Sequence, residues 1–171
     1  STIARESDGG VYIHAGPDVG VAATETFTSQ VAVLTLLGLL FGRMHHLSSV
    51  DGLEIIDALE AIPQKMREIL AQKDRIKAIA EKHAHAEGML FMGRQLNYPV
   101  ALEGALKMKE ISYIYASGHP SAELKHGVIA LVKPDMPSVF IAPDDAVFDK
   151  NVSNIEEVRA RKGPVVAVTT E

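Results

Sequence analysis

Glu103, Lys107 and Glu110 stand at i, i+4 and i+7. On a helix turning about 100° per residue this spacing puts all three within an arc of about 60°, so they share one face. On a solvated helix such a trio is an ion-paired stripe, and exposed pairs contribute only ~0.3–0.5 kcal/mol each. Here the neighbouring faces carry Ala101, Leu102, Ala105, Leu106, Met108 and Ile111, which predicts a helix with little free surface. An acid beside a lysine on a covered helix has the make-up of a proton-transfer pair. The lysine keeps the carboxylate ionised, and partial burial raises its basicity.

A second cluster is Glu123-Leu124-Lys125-His126-Gly127, preceded by the small residues Ser117, Gly118, Pro120, Ser121 and Ala122. In open α/β sheets ligands bind beyond the carboxyl ends of strands, where loops of this composition lie. His126 is the acid/base candidate there, because imidazole titrates near neutrality. The other histidines carry less. His83 and His85 are two apart and His45 and His46 adjacent, so neither pair has the i, i+4 spacing of a helical metal site. No G-x-G-x-x-G and no P-loop occurs, leaving a dinucleotide or nucleoside-triphosphate site unsupported. No metal and no cofactor is expected.

The elements that must position these groups change character along the chain. Residues 11–14, Val-Tyr-Ile-His between Gly9-Gly10 and Gly16-Pro17, read as a short strand. Residues 20–47 read as a helix whose apolar centre predicts burial on most faces. Leu53, Ile56, Leu59 and Ile62 recur as on an amphipathic helix that Pro63 should end, with two more helices filling residues 63–86. After Gly88 an alternation begins. Met89-Leu90-Phe91-Met92 has the form of a buried parallel strand, and Pro99 pre-sets a helix to about Tyr113. Residues 114–116, 138–142 and 165–169 read as further strands, and 151–162 as a helix. This alternation predicts a doubly wound parallel α/β sheet.

Composition narrows the classes. Of 171 residues 47% are hydrophobic and 23% charged, with 17 basic and 22 acidic side chains, for a net charge of −5. That is a globular chain, and its acidity gives no bulk attraction to nucleic acid or anionic lipid. With no cysteine there is no disulfide framework and no thiol nucleophile, which fits a cytoplasmic setting. The longest apolar run, 31–41, is 11 residues against the roughly 20 of a membrane span. It reads as a buried helix, and no membrane is expected. The start has neither an initiator Met nor an apolar signal core, which hints at a fragment.

Three stretches carry a resemblance. They are Ala101-Leu102-Glu103-Gly104-Ala105-Leu106-Lys107-Met108-Lys109-Glu110-Ile111-Ser112-Tyr113-Ile114, Glu123-Leu124-Lys125-His126-Gly127, and Asn154-Ile155-Glu156-Glu157-Val158-Arg159-Ala160-Arg161. With Ala4-Arg5-Glu6-Ser7-Asp8 and Gly20-Val21-Ala22, the chain resembles the isomerase half of the glutamine:fructose-6-phosphate aminotransferase (isomerising) family, the glucosamine-6-phosphate synthases. The resemblance covers essentially the whole chain. It implies two sugar-isomerase (SIS) domains, each a five-stranded parallel sheet between helices. Residues 1–16 would end the first, and 17–171 would form most of the second, as a truncated three-layer α/β/α sandwich.

The same resemblance assigns roles. Glu110 would be the base moving a proton between C1 and C2 of the fructosimine phosphate, and Lys107 would assist at the sugar hydroxyls. His126 would open the fructose 6-phosphate ring from across a homodimer interface. Val21, Ala22 and Glu103 would bind the phosphorylated sugar. The partners implied are the remaining SIS domain and a glutaminase domain, without which this chain alone should be inactive or nearly so. Glu25, Ser117, Ala122 and Val128 stand where the family commonly has Lys, an acid, Gly and Pro. Two other readings share the fold: another SIS-domain phosphosugar isomerase or deaminase, and a non-catalytic phosphosugar-binding regulatory module. Glu110 with Lys107 and His126 separates the regulatory module from the first reading, since a sensor needs no proton-transfer base.

Overall fold

The computed structural model describes residues 2–17 and 19–170. The chain forms two compact units, one through Lys77 and one from Ala78 onward.

The first unit is helical. α1 (Thr2–Glu6), α2 (Glu25–Met44) and α3 (Ser49–Ala71) are followed by α4 (Lys73–Lys82), which crosses the unit boundary. Residues 11–14, expected as a strand, are irregular and mostly exposed, with His14 at φ 51°. All strands among the described residues belong to the second unit, and a lone strand has nothing to satisfy its backbone groups. The turn between α2 and α3 is well specified. Ser48 caps α3 by accepting from the Asp51 backbone N–H at 3.1 Å while its hydroxyl donates to the Asp51 carboxylate at 2.8 Å. The Arg43 guanidinium donates to the Leu47 carbonyl.

Two expectations fail in this unit. Pro63 does not end a helix but lies inside α3. It is exposed, so its missing N–H removes one bond of a long ladder and water can serve the freed carbonyl. α2 was expected to be buried on most faces, yet it holds no buried residue; Leu34, Leu40 and Met44 are among its exposed side chains. Its apolar surface meets part of α3. At 20 residues and a mean hydropathy of 1.4 over its most apolar window, α2 is the one helix among the described residues long and apolar enough to cross a membrane. Its partner α3 carries Asp51, Glu54, Asp57, Glu60, Lys65, Arg67 and Glu68, a load of charge that hydrocarbon would reject.

The second unit is a four-stranded, all-parallel sheet in the order β2-β1-β3-β4. Its strands are β1 (Gly88–Gly93), β2 (Tyr115–Pro120), β3 (Ser138–Ile141) and β4 (Val165–Val168), with α5 (Asn97–Ser112) and α6 (Phe148–Ala160) between them. β1 is buried along its whole length, as its continuous apolar run requires of a central parallel strand. Alternation along β1 and β3 divides the core between the two faces. Met89 and Phe91 pack with Ala101 and Ala105 of α5, whereas Leu90, Met92 and Phe140 pack with Leu124 and Val158 on the α6 side. The result is the expected α/β/α sandwich.

β2 runs further than expected, through Ser117, Gly118, His119 and Pro120, because each residue from Tyr115 is in parallel register with β1. Gly118 is required there. A Cβ on it would lie 2.8 Å from the Leu102 Cα, so only glycine lets α5 lie this close to the sheet.

Candidate functional site

α5 starts where Gly93 turns the chain out of β1; a Cβ at Gly93 would sit 2.1 Å from the Asn97 carbonyl oxygen. Ala101 and Ala105 face the sheet and are almost wholly buried, and Tyr113 ends the helix in the left-handed conformation. This orientation turns the expected trio to one side. Lys107 Nζ donates to Glu103 Oε1 at 2.9 Å and to Glu110 Oε2 at 3.2 Å. The side chains of Glu103, Lys107 and Glu110 keep 22%, 20% and 28% of their surface, so they are partly shielded and still reachable.

The Glu103 carboxylate, hydrogen-bonded to Lys107, holds its ammonium above the usual lysine range; desolvation opposes this and Glu110 adds to it. Lys107 is therefore a cation across the neutral range and acts as a fixed positive charge rather than as a base. Its raised value means that the stabilisation from this pairing is complete below pH ~10.5 and is lost as pH rises through the folded-state value. Two carboxylates around one ammonium leave the cluster with one net negative charge, and the oxygens not engaged by Lys107 can accept a proton from a bound ligand. The helix is less covered than expected. Leu102, Leu106 and Ile111 are exposed, because the sheet takes only the alanine face.

His126 is elsewhere. It ends a 3-10 turn, Ser121–His126, directly after β2. Leu124, fully buried, anchors this turn on the α6 side of the sheet. α5 packs on the opposite side. His126 is exposed, and the structure does not bring it together with Glu110 within one chain. Val21 and Ala22 lie in a bend of the first unit before α2, with Val21 exposed.

Two polar groups of the second unit, His119 and Arg94, are not singled out by the sequence, and Ser117 stands out there only as a small residue and as a position where the family commonly has an acid. Ser117 Oγ and His119 Nε2 are 2.8 Å apart on β2, and burial lowers the His119 pKa below the usual histidine value. Arg94, the first residue beyond β1, donates to Asn154 Oδ1 at 3.2 Å, 60 residues away in sequence. A lone arginine after a glycine has no periodic signal, and only its position beyond a buried strand could have drawn attention to it. Among the described residues no group of three His, Asp or Glu is placed to hold a metal ion.

Residues 83–171 match the model of the SIS domain family. Over all 171 residues the chain is 51% identical to a glutamine–fructose-6-phosphate aminotransferase [isomerizing] of Chlorobaculum tepidum, covering 28% of that protein. It is 46% identical to the enzyme of the same name from Bacteroides thetaiotaomicron, again covering 28% of it. The C-terminal domain of glucosamine-fructose-6-phosphate aminotransferase from Francisella tularensis superposes with a TM-score of 0.96 at 39% identity, over 99% of this chain and 48% of that one. The chain thus spans little more than a quarter of the length of these relatives.

Proposed function

This chain belongs to the SIS-domain family and is similar throughout to part of the glutamine–fructose-6-phosphate aminotransferases, and we propose that it supplies the proton-transfer half of a fructose 6-phosphate aminating isomerase. The observation that carries the reading is Lys107 held between Glu103 and Glu110 on the exposed side of a helix pressed to the sheet. In this reading the Glu110 carboxylate removes a proton from C1 of the fructosimine 6-phosphate and returns it at C2. The C1 hydroxyl becomes the aldehyde and the imine becomes the amine of glucosamine 6-phosphate. The electrons move within the sugar, so no external oxidant or reductant is needed. Lys107 stays cationic and offers positive charge to the sugar oxygens, with Glu103 holding it in place.

His126 opens the sugar ring in the site of a second copy, a reading supported by its exposure and by the sheet that separates it from its own Glu110. Val21, Ala22 and Glu103 contact the phosphorylated sugar. Residues 1–16 end a preceding SIS domain, and 17–171 form most of the next. The working protein is a cytoplasmic homodimer carrying the other SIS domain and a glutaminase domain, and this chain alone is inactive or nearly so. The test is ammonia-dependent formation of glucosamine 6-phosphate by the full-length protein with Glu110→Gln. Loss of a general base should lower kcat by a factor of about 100 or more with KM little changed. Turnover that survives the substitution would remove Glu110 as the base and overturn this reading.

A further inference from the structure

On the face opposite the trio, a cleft of about 290 Å³ opens between Arg94, the 3-10 turn after β2 and the first turns of α6. Its place in the topology is not arbitrary. The connection from β1 through α5 to β2 runs over one face, and that from β3 through α6 to β4 over the other. The sheet order therefore reverses between β1 and β3, and the crevice beyond the carboxyl ends at such a reversal is where open α/β sheets take ligands. Arg94 is the first residue past β1.

The charges of the cleft do not balance. Both oxygens of Glu157 have partners: Lys125 Nζ binds Oε1 at 2.9 Å, and Asn154 Nδ2 donates to Oε2 at 3.4 Å. Arg94 has no carboxylate partner among the described residues. One guanidinium nitrogen donates to the neutral Asn154 amide, and its Nε is buried with nothing to accept from it. Lys150, also lining the cleft, has no ion pair among the described residues. A half-buried guanidinium without a countercharge is costly. Here it sits beside a second unpaired cation in a chain whose net charge is −5.

We propose that this cleft is a second ligand site, separate from the α5 trio, that binds the phosphate group of a phosphorylated small molecule between Arg94 and Lys150. A phosphate supplies two negative charges near neutral pH and enough acceptor oxygens for both cations. The α6 N-terminus, which opens toward Lys150 at the third position of the helix, adds favourable field of the same sign.

The test is calorimetric titration of the full chain with inorganic phosphate, alongside Lys150→Glu, Lys109→Glu and Glu110→Gln. Lys150 and Lys109 are exposed, so neither substitution threatens the fold. Saturable binding is expected that weakens about tenfold or more in Lys150→Glu, is unchanged in Lys109→Glu, and falls as salt is raised. Retention in Glu110→Gln would keep this site distinct from the proposed isomerase, so failure of either reading leaves the other standing. Glucose 6-phosphate run in parallel tells a free ion from a phosphoryl group by which binds tighter. No saturable binding, equal affinity in Lys150→Glu, or acetate binding as tightly as phosphate would each overturn the assignment.

Discussion

The two faces of the sheet treat charge in opposite ways. On the α5 face Lys107 lies between two acids within hydrogen-bond distance, and the helix holds all three on consecutive turns. On the α6 face Arg94 and Lys150 are cations without acids, and His126 projects from a short 3-10 turn into solvent. The first arrangement is complete in itself and suited to handing a proton back and forth. The second leaves Arg94 and Lys150 without acids among the described residues, which is what the proposed anion in the cleft and the proposed second copy at His126 would answer. A four-stranded sheet stands between them, and the proposed reaction accordingly draws Glu110 and His126 from two chains.

That separation can be broken most sharply by mixing inactive variants of the full-length protein. Glu110→Gln and His126→Asn homodimers should both lose most turnover. If each site pairs Glu110 of one copy with His126 of the other, a mixed dimer has one site with both defects and one with none. Random pairing makes about half the dimers mixed, so about a quarter of wild-type activity should return. Were both residues to act within one chain, every site would carry one defect and nothing would return.

The faces should also differ in how they respond to packing changes. Leu124, fully buried among Leu90, Met92, Phe140 and Val158, anchors the turn that carries Lys125 and His126. Leu124→Ala should cost ~2–5 kcal/mol in urea unfolding, through lost burial and the cavity left behind. On the α5 face the helix itself buries only Ala101 and Ala105 and relies on close approach. Gly118→Ala would press a methyl against the Leu102 backbone and should cost ~1–3 kcal/mol. It should also disturb the Lys107 pairs, which begin one residue after Leu102 and lie within about two and a quarter turns of it. A larger cost for Gly118→Ala than for Leu124→Ala would mean that the helix, not the 3-10 turn, is the more tightly determined of the two.

The sequence shows these regions unequally. The trio on α5 is visible because i, i+4, i+7 is a property of the helix itself, and β1 is visible because a central parallel strand must be apolar throughout. β2 is half hidden, since Ser117, Gly118, His119 and Pro120 carry turn chemistry and are held extended by register with β1. α2 is misread for a different reason: apolar residues announce that something covers a surface, not that this chain supplies the cover. Arg94 is invisible, because its significance rests on a contact 60 residues away and on a missing acid.

The smallest effect tests the boundary between the faces. Ser117 and His119 alternate along β2 with Ala116 and Gly118, which face α5, so the Ser117–His119 pair belongs to the α6 side. Desolvation lowers the His119 pKa, so the folded chain binds fewer protons than the unfolded chain once pH falls below the ordinary histidine value of ~6.5. Stability from this site is therefore fully present above pH ~6.5 and is lost as pH falls toward the folded-state value. His119→Asn keeps a hydrogen-bonding partner for Ser117 and removes the titration. Urea unfolding at pH 7.5 and 5.5 should show a smaller loss of stability in the variant than in the wild type. An unchanged pH dependence would place His119 in water, and the α6 face would then open to solvent as far as the edge strand.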